Sequence, residues 1–249
     1  MTNSWVVLPG LAETPEEFAQ VVSLLPSNDL RVVDPWRLPV TAPVDELRES
    51  VGVTLPVGLL GHSIGGLAAL RWMLTHPYEV DRLVLIDSSL TSETGWRWLY
   101  PGTPGDRVVR SVLRGLGRIG VPQLLGPTVR RLIVRLGSIS NRDLLSKATA
   151  RSRYGAGTSW LLFWDELTGS WALAAEVARL LESPPTFVPP VVVLVATGGS
   201  SRFTAASWLA GQRALAAKLN ATVEVLPDSA HLVHLDRPDA IAKAVTQLV

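Results

Sequence analysis

"VGLLGHSIGG", Val57 to Gly66, is the stretch from which the rest of the chain can be read. A short apolar run ends in Gly61-His62-Ser63-Ile64-Gly65, and an apolar pattern at helical spacing follows until Pro77 closes it. The spacing predicts a strand, a sharp turn at Ser63 and a helix over 65–76. Small neighbours let the backbone at Ser63 take strained angles and leave its hydroxyl exposed. The helix aims its N-terminus at the same point, where its dipole and the Ile64 amide would stabilise developing negative charge. G-x-S-x-G in this setting points to a serine nucleophile; the plainer alternative is a Gly-rich strand-to-helix turn.

Similar alternation extends in both directions. "WVVLPG" (5–10) reads as a strand, and "TPEEFAQVVSLL" (14–25) as a helix with Thr14 at its N-cap and Pro15 at its first position. "LRVVDPW" (30–36) is a second strand, "PVDELRESV" (43–51) a short helix, and "RLVLID" (82–87) a fourth strand. Later come "VVVLVA" (191–196), a helix over 205–219, "TVEVL" (222–226) and a closing helix over 237–248. Strands alternating with helices predict an α/β fold with a mostly parallel, doubly wound sheet covered on both faces. Residues 92–185 interrupt the alternation with helical spacing, five of the nine tryptophans (Trp96, Trp98, Trp160, Trp164, Trp171), and a Pro-rich return, "ESPPTFVPP". They read as a helical insertion into a core formed by 1–91 and 186–249.

A net charge of +1 conceals a strong asymmetry. Between Asp106 and Arg153 eleven basic residues face two acidic ones, a local net of +9 that leaves the remainder at −8. Apolar residues make up 47% and charged residues 18% of the chain, a globular composition. Without cysteine there is no disulfide, thiolate metal site or thiol nucleophile. No basic leader opens the sequence and no apolar run reaches spanning length, so a soluble, cytoplasmic protein is expected. Neither a dinucleotide fingerprint, a Walker loop nor a nucleic-acid motif is present, and His231 and His234 lack a third metal ligand. No cofactor, metal or nucleic acid is therefore expected.

A serine nucleophile needs a base and two oxyanion donors. In "LPGLAET" Gly10 allows close approach and the Leu11 amide is a candidate donor beside that of Ile64. Four histidines are available. His62 lies inside the turn, where it would pack or line the wall, and His76 precedes a proline at a helix end. His231 and His234 lie in "LPDSAHLVHLDRPDAI" (226–241), between the last strand and the last helix. With the upstream turn, this stretch resembles the α/β-hydrolase superfamily, whose late turn often reads G-H-x-x-x-x-E-x-P. The resemblance places His231 at the catalytic position, with Ala230 for the glycine, Asp236 for the glutamate, and Pro238 matching. His234 then takes an accessory, structural position. The resemblance also implies that 92–185 is a cap over the site.

The superfamily usually keeps its acid after the strand that follows the cap, in a form close to H-G-x-x-D. Here that turn reads Thr197-Gly198-Gly199-Ser200-Ser201, with no carboxylate. Three readings remain. The acid is Asp87, one strand earlier, where some lipases and haloalkane dehalogenases place theirs; or Ser200, Ser201 or a water orients the histidine; or hydrolysis is lost. The first is preferred because a triad is defined by geometry rather than chain position. Asp228, held on the same turn as His231, is a poor candidate.

The expectation is thus a serine hydrolase with Ser63, His231 and Asp87, cleaving an ester or thioester of an apolar acyl substrate in a pocket walled by cap tryptophans and leucines. Carbon-carbon bond hydrolysis, or elimination or cyclisation by the same Ser/His pair, is the second enzymatic reading, and a ligand-binding module without turnover the third. The basic face of the cap, with Arg107, Arg110, Arg114 and Arg118 at helical steps and Arg130, Arg131 and Arg135 beyond, would suit a carrier protein, coenzyme A or an anionic surface, or be solvated without a partner.

Overall fold

A computed structural model describes residues 4–199 and 202–248 of the chain. Six strands, β1 (Ser4–Leu8), β2 (Asp29–Val32), β3 (Val57–His62), β4 (Val80–Ile86), β5 (Val191–Ala196) and β6 (Thr222–Leu226), form one parallel sheet in the order β2-β1-β3-β4-β5-β6. The central strands β3 and β5 are buried along their whole length, whereas β2 and β6 at the edges are only partly covered. This is why the central strands read as unbroken apolar runs.

Successive side chains on a strand point to opposite faces, which sorts the core in two. Val6, Leu8, Leu59, Leu83, Leu85, Val193 and Val195 face one cluster, and Trp5, Val7, Leu60, Val84, Ile86, Val192 and Leu194 face the other. Helices α1 (Ala19–Leu24) and α10 (Pro238–Gln247) cover the second face. The first face is covered by α2 (Val44–Val51), α3 (Ile64–Thr75), the later turns of α7 (Ser159–Leu180) and α8 (Arg202–Lys218). The four-residue α9 (Val233–Asp236) leads into α10. The helix expected over 14–25 is split: Pro15–Phe18 winds as a tighter 3-10 turn held by the Thr14–Glu17 capping box before α1 begins.

Between β4 and β5 lie α4 (Pro104–Arg118), α5 (Val121–Gly137), α6 (Lys147–Tyr154) and α7. The last helix belongs to two environments. Leu173, Ala174 and Val177 near its end sit in the sheet core, whereas Leu167, Ser170 and Trp171 line a cavity. On the same helix Glu166 is buried and accepts from the amide of Val40 at 3.2 Å. Burial pushes its carboxyl up to about 8 and the Glu13 charge adds to this, against the bonds from the Val40 and Ala12 amides.

The folded chain therefore keeps a proton on Glu166 that the unfolded chain releases above its ordinary value of 4.5, and stability falls as pH rises from there to about 8. Glu166→Gln should melt at much the same temperature as the parent at pH 4.5 and several degrees higher at pH 8. A constant difference in thermal melts across that range would show that Glu166 is not held neutral.

Candidate active site

Where β1 and β3 lie side by side the chain has turned outward in opposite directions, and such a switch point leaves a crevice beyond the carboxyl ends of the strands. Ser63 stands there, between the end of β3 and the start of α3. Its backbone is left-handed, at φ 51° and ψ −122°. For a residue other than glycine this costs about 1–3 kcal/mol and persists only when the surroundings hold it. They do so here: Ser63 donates to the Ile86 carbonyl, and its own carbonyl accepts from Gly66 and Ser89. A Cβ on Gly65 would fall on the carbonyls of Leu8 and Pro9. This close approach seats the loop after β1, with Leu11, over the start of α3. The Ile64 amide opens α3 and has no acceptor within the helix.

Asp87 caps β4 with a second left-handed backbone, φ 42°. Its carboxylate is 4% exposed, and Oδ2 lies 2.7 Å from His231 Nδ1. His231 Nε2 is 3.0 Å from Ser63 Oγ. Asp87 Oδ1 accepts from the Ala196 amide at 2.9 Å and from the Trp208 indole at 2.8 Å. The imidazole is thus flanked by a hydroxyl on one nitrogen and a fixed carboxylate on the other. Of the acid-loop substitutes, Ser200 and Ser201 lie outside the described residues. Asp228 pairs with Arg237, and Asp236 accepts from Ser138 and from the amides of Ile139, Ser140 and Ala230, which anchors the turn carrying His231. His76 Nδ1 meets the Thr75 hydroxyl at a helix end.

Beneath these groups lies a buried polar chain whose role the sequence reading did not foresee. Gly10 donates to Glu13 Oε2 at 2.6 Å, Glu13 Oε1 is 2.6 Å from His62 Nδ1, and His62 Nε2 donates to the His231 carbonyl at 2.7 Å. Burial alone would raise Glu13, but the charges of His62 and His234 and the bonds from His62 and Gly10 hold it at about 2. Burial likewise disfavours a charged His62, yet the Glu13 charge and hydrogen bond leave its pKa raised. An imidazolium-carboxylate pair therefore ties the loop of Leu11 to the backbone of His231. A signal was present: a carboxylate three residues after Gly10.

His234 is fully buried, stacks on Phe18 and lies 3.7 Å from Glu17 Oε2. Arg130 is a correction. Read as part of a basic outer face, it is instead fully buried, 2.6 Å from Glu17 and bonded to Tyr154 and Asp143. Glu13, His62 and His234 offer ligand atoms within 4.8 Å of one another. Glu13 and His62 already spend theirs on each other, and Arg130 brings a positive charge to the adjoining Glu17, so the cluster fits a proton-sharing network better than a cation.

Two hollows adjoin Ser63. One of about 360 Å³ is lined by Ile64, Leu67, Leu167 and Trp171 with Ser89, Glu93, Gly95 and Ser170; one of about 290 Å³ is lined by Asp87, His231, Glu93, Ala196, Gly198 and Trp208. Ser63 is one residue from the first and one hydrogen bond from the second. Of the tryptophans between 92 and 185, Trp171 lines the larger hollow. Trp164 on α7 donates to Asp106 on α4, and Trp96 and Trp98 are exposed.

The Glu13–His62 pair has opposite dependences on its two sides. Glu13, depressed below its ordinary 4.5, contributes stability above that value and loses it as pH falls toward about 2. His62, raised above its ordinary 6.5, contributes fully below that value and loses it as pH rises through its raised one. Glu13→Gln should therefore cost most between pH 4.5 and 6.5, about 3–5 kcal/mol by thermal melts. A cost independent of pH would mean that the two groups do not share a charge.

The alpha/beta hydrolase family profile matches residues 6–244. The chain is 25% identical over 202 residues to the sn-1-specific diacylglycerol lipase ABHD11 of Mus musculus, covering 78% of this chain and 59% of that one. It thus spans about three fifths of the length of the curated relatives it matches. Among solved structures it is similar to an alpha/beta hydrolase fold protein from Burkholderia ambifaria (TM-score 0.68, 17% identity, 99% of this chain and 91% of that one). It is also similar to the enol-lactonase from Burkholderia xenovorans LB400 (TM-score 0.62, 16% identity, 100% and 91%). At such identities the solved structures speak for the fold. With the profile running through nearly the whole sheet, the chain belongs to the alpha/beta hydrolase family.

Proposed function

We propose that this hydrolase cleaves a carboxylic ester or thioester through an acyl-enzyme, with Ser63 as nucleophile, His231 as base and Asp87 as the orienting acid. The observation that carries this is the continuous line from Asp87 Oδ2 through His231 to Ser63 Oγ, with gaps of 2.7 and 3.0 Å. Ser63 Oγ attacks the acyl carbon while His231 Nε2 takes its proton. Asp87 holds the proton on Nδ1 and stabilises the imidazolium that forms. The amides of Leu11 and Ile64 are the proposed oxyanion donors. His231 then returns its proton to the leaving group, and water, deprotonated in turn by His231, releases the acid and restores Ser63.

Residues 92–185 are proposed as the cap, with the end of α7 shared with the core. The larger hollow offers Ile64, Leu67, Leu167 and Trp171 to an acyl chain, and Glu93 borders both hollows. A carboxylate there favours an uncharged ester over an acidic one. The lipase description of the mouse relative agrees with that preference.

A fluorophosphonate probe should label Ser63 in the folded protein and leave Ser63→Ala unlabelled; a folded protein without labelling overturns the nucleophile. On a short p-nitrophenyl ester, Asp87→Asn should lower kcat by about four orders of magnitude with KM little changed. Near-parental turnover would remove Asp87 as the acid. Trp208→Phe, which leaves Asp87 Oδ1 held by the Ala196 amide alone, should lower kcat by about tenfold.

A further inference from the structure

Ten of the fourteen exposed large apolar side chains among the described residues fall between 96 and 139. Val108 and Val112 on α4 and Ile119 just past its end (65%, 55% and 75% exposed) follow at steps of four and seven along one stripe, opposite the buried Asp106. Arg107, Arg114 and Arg118 run along one side of that stripe. After a turn at Gly120, α5 repeats the arrangement: Leu125, Leu132 and Leu136 (44%, 52% and 75% exposed) form the stripe, with Arg131 and Arg135 beside it. The buried Gly126, Arg130 and Val134 face the other way. Arg118, Arg131 and Arg135 have no ion pair among the described residues. Before α4, Trp96 and Trp98, 67% and 61% exposed, stack on each other with centroids 6.5 Å apart.

Neither a helix core nor a solvated face explains apolar stripes left in water beside unpaired arginines. We propose that α4 and α5 lay the cap on an anionic phospholipid surface, the leucines and valines entering the acyl boundary while the arginines reach the phosphates. Charge complementarity selects this occupant: 106–153 carries a net +9, and although Arg110, Arg130 and Arg153 pair with Asp165, Glu17 and Asp34, the outward Arg118, Arg131 and Arg135 remain, so an anionic plane both attracts and orients the molecule. A concavity of about 100 Å³ between α5 and α6, lined by Arg131, Lys147 and Arg151, is large enough to seat a phosphate, and its Asp143 is already bonded to Arg130. The exposed tryptophans adjoin Gly95, which lines the larger hollow with Trp171, so docking would bring lipid close to the site.

The docking does not depend on the hydrolytic reading, and Ser63→Ala protein serves to test it without consuming lipid. The test is co-sedimentation with vesicles of phosphatidylcholine alone and of phosphatidylcholine with an equal amount of phosphatidylglycerol. Binding to the anionic vesicles should be at least about tenfold tighter and weaken as salt is raised. Leu132→Asp with Leu136→Asp should abolish it. Arg118→Gln, Arg131→Gln and Arg135→Gln together should remove the preference for phosphatidylglycerol, with circular dichroism unchanged in both variants. Equal or absent binding to the two vesicles overturns the proposal. So does self-association through this face in analytical ultracentrifugation, or binding of an acidic carrier protein that vesicles do not displace.

Discussion

The site is organised around the Asp87 carboxylate. One oxygen is fixed by the Ala196 amide at the end of β5 and by the Trp208 indole on α8, which leaves the other free to meet His231. A single buried group thus joins the ends of two central strands, a flanking helix and the loop after β6. It sits in a left-handed backbone, as do Ser63 and Ala12. Among the described residues, three of the five other than glycine with positive φ therefore stand on this one edge of the sheet. Strain concentrated there is what a held-in-place reactive constellation requires.

Beneath this lies a second layer with no counterpart on the surface. Glu13, His62, His234, Glu17, Arg130 and Tyr154 are all buried, and they link the loop after β1, the serine turn, the His231 loop and helix α5 through charged or polar contacts. Tyr154 closes the circuit by donating to the Ala12 carbonyl. Charges in such a place must be paired to be tolerated, and the pairing couples α5 and α6 to the loop that carries the proposed oxyanion donor. The segment between β4 and β5 is therefore attached by buried polar contacts near the site while α4 and α5 keep an apolar and basic face toward the surroundings.

Much of this was legible in the chain itself. Unbroken apolar runs flanked by helical patterns specify a parallel sheet with two covered faces, because only a strand buried on both sides can be apolar at every position. Glycines at 61, 65 and 66 around Ser63, and the histidine late in the chain, specify chemistry through sterics and proton affinity that are local properties. The +9 segment was likewise a matter of counting.

Which carboxylate meets His231 could not be counted. Asp87 and His231 are 144 positions apart, and they meet only because β4 and β5 are neighbours and the loop after β6 folds back across their ends. Arg130 and Arg131 are adjacent in sequence, yet one is buried against Glu17 and the other faces outward, since a step of 100° around a helix separates core from solvent. Local pattern set the elements and the turn that carries Ser63; the meeting of Asp87 with His231, the inward arginine and the Glu13–His62 link were set by packing, because each depends on which distant groups share a dry space.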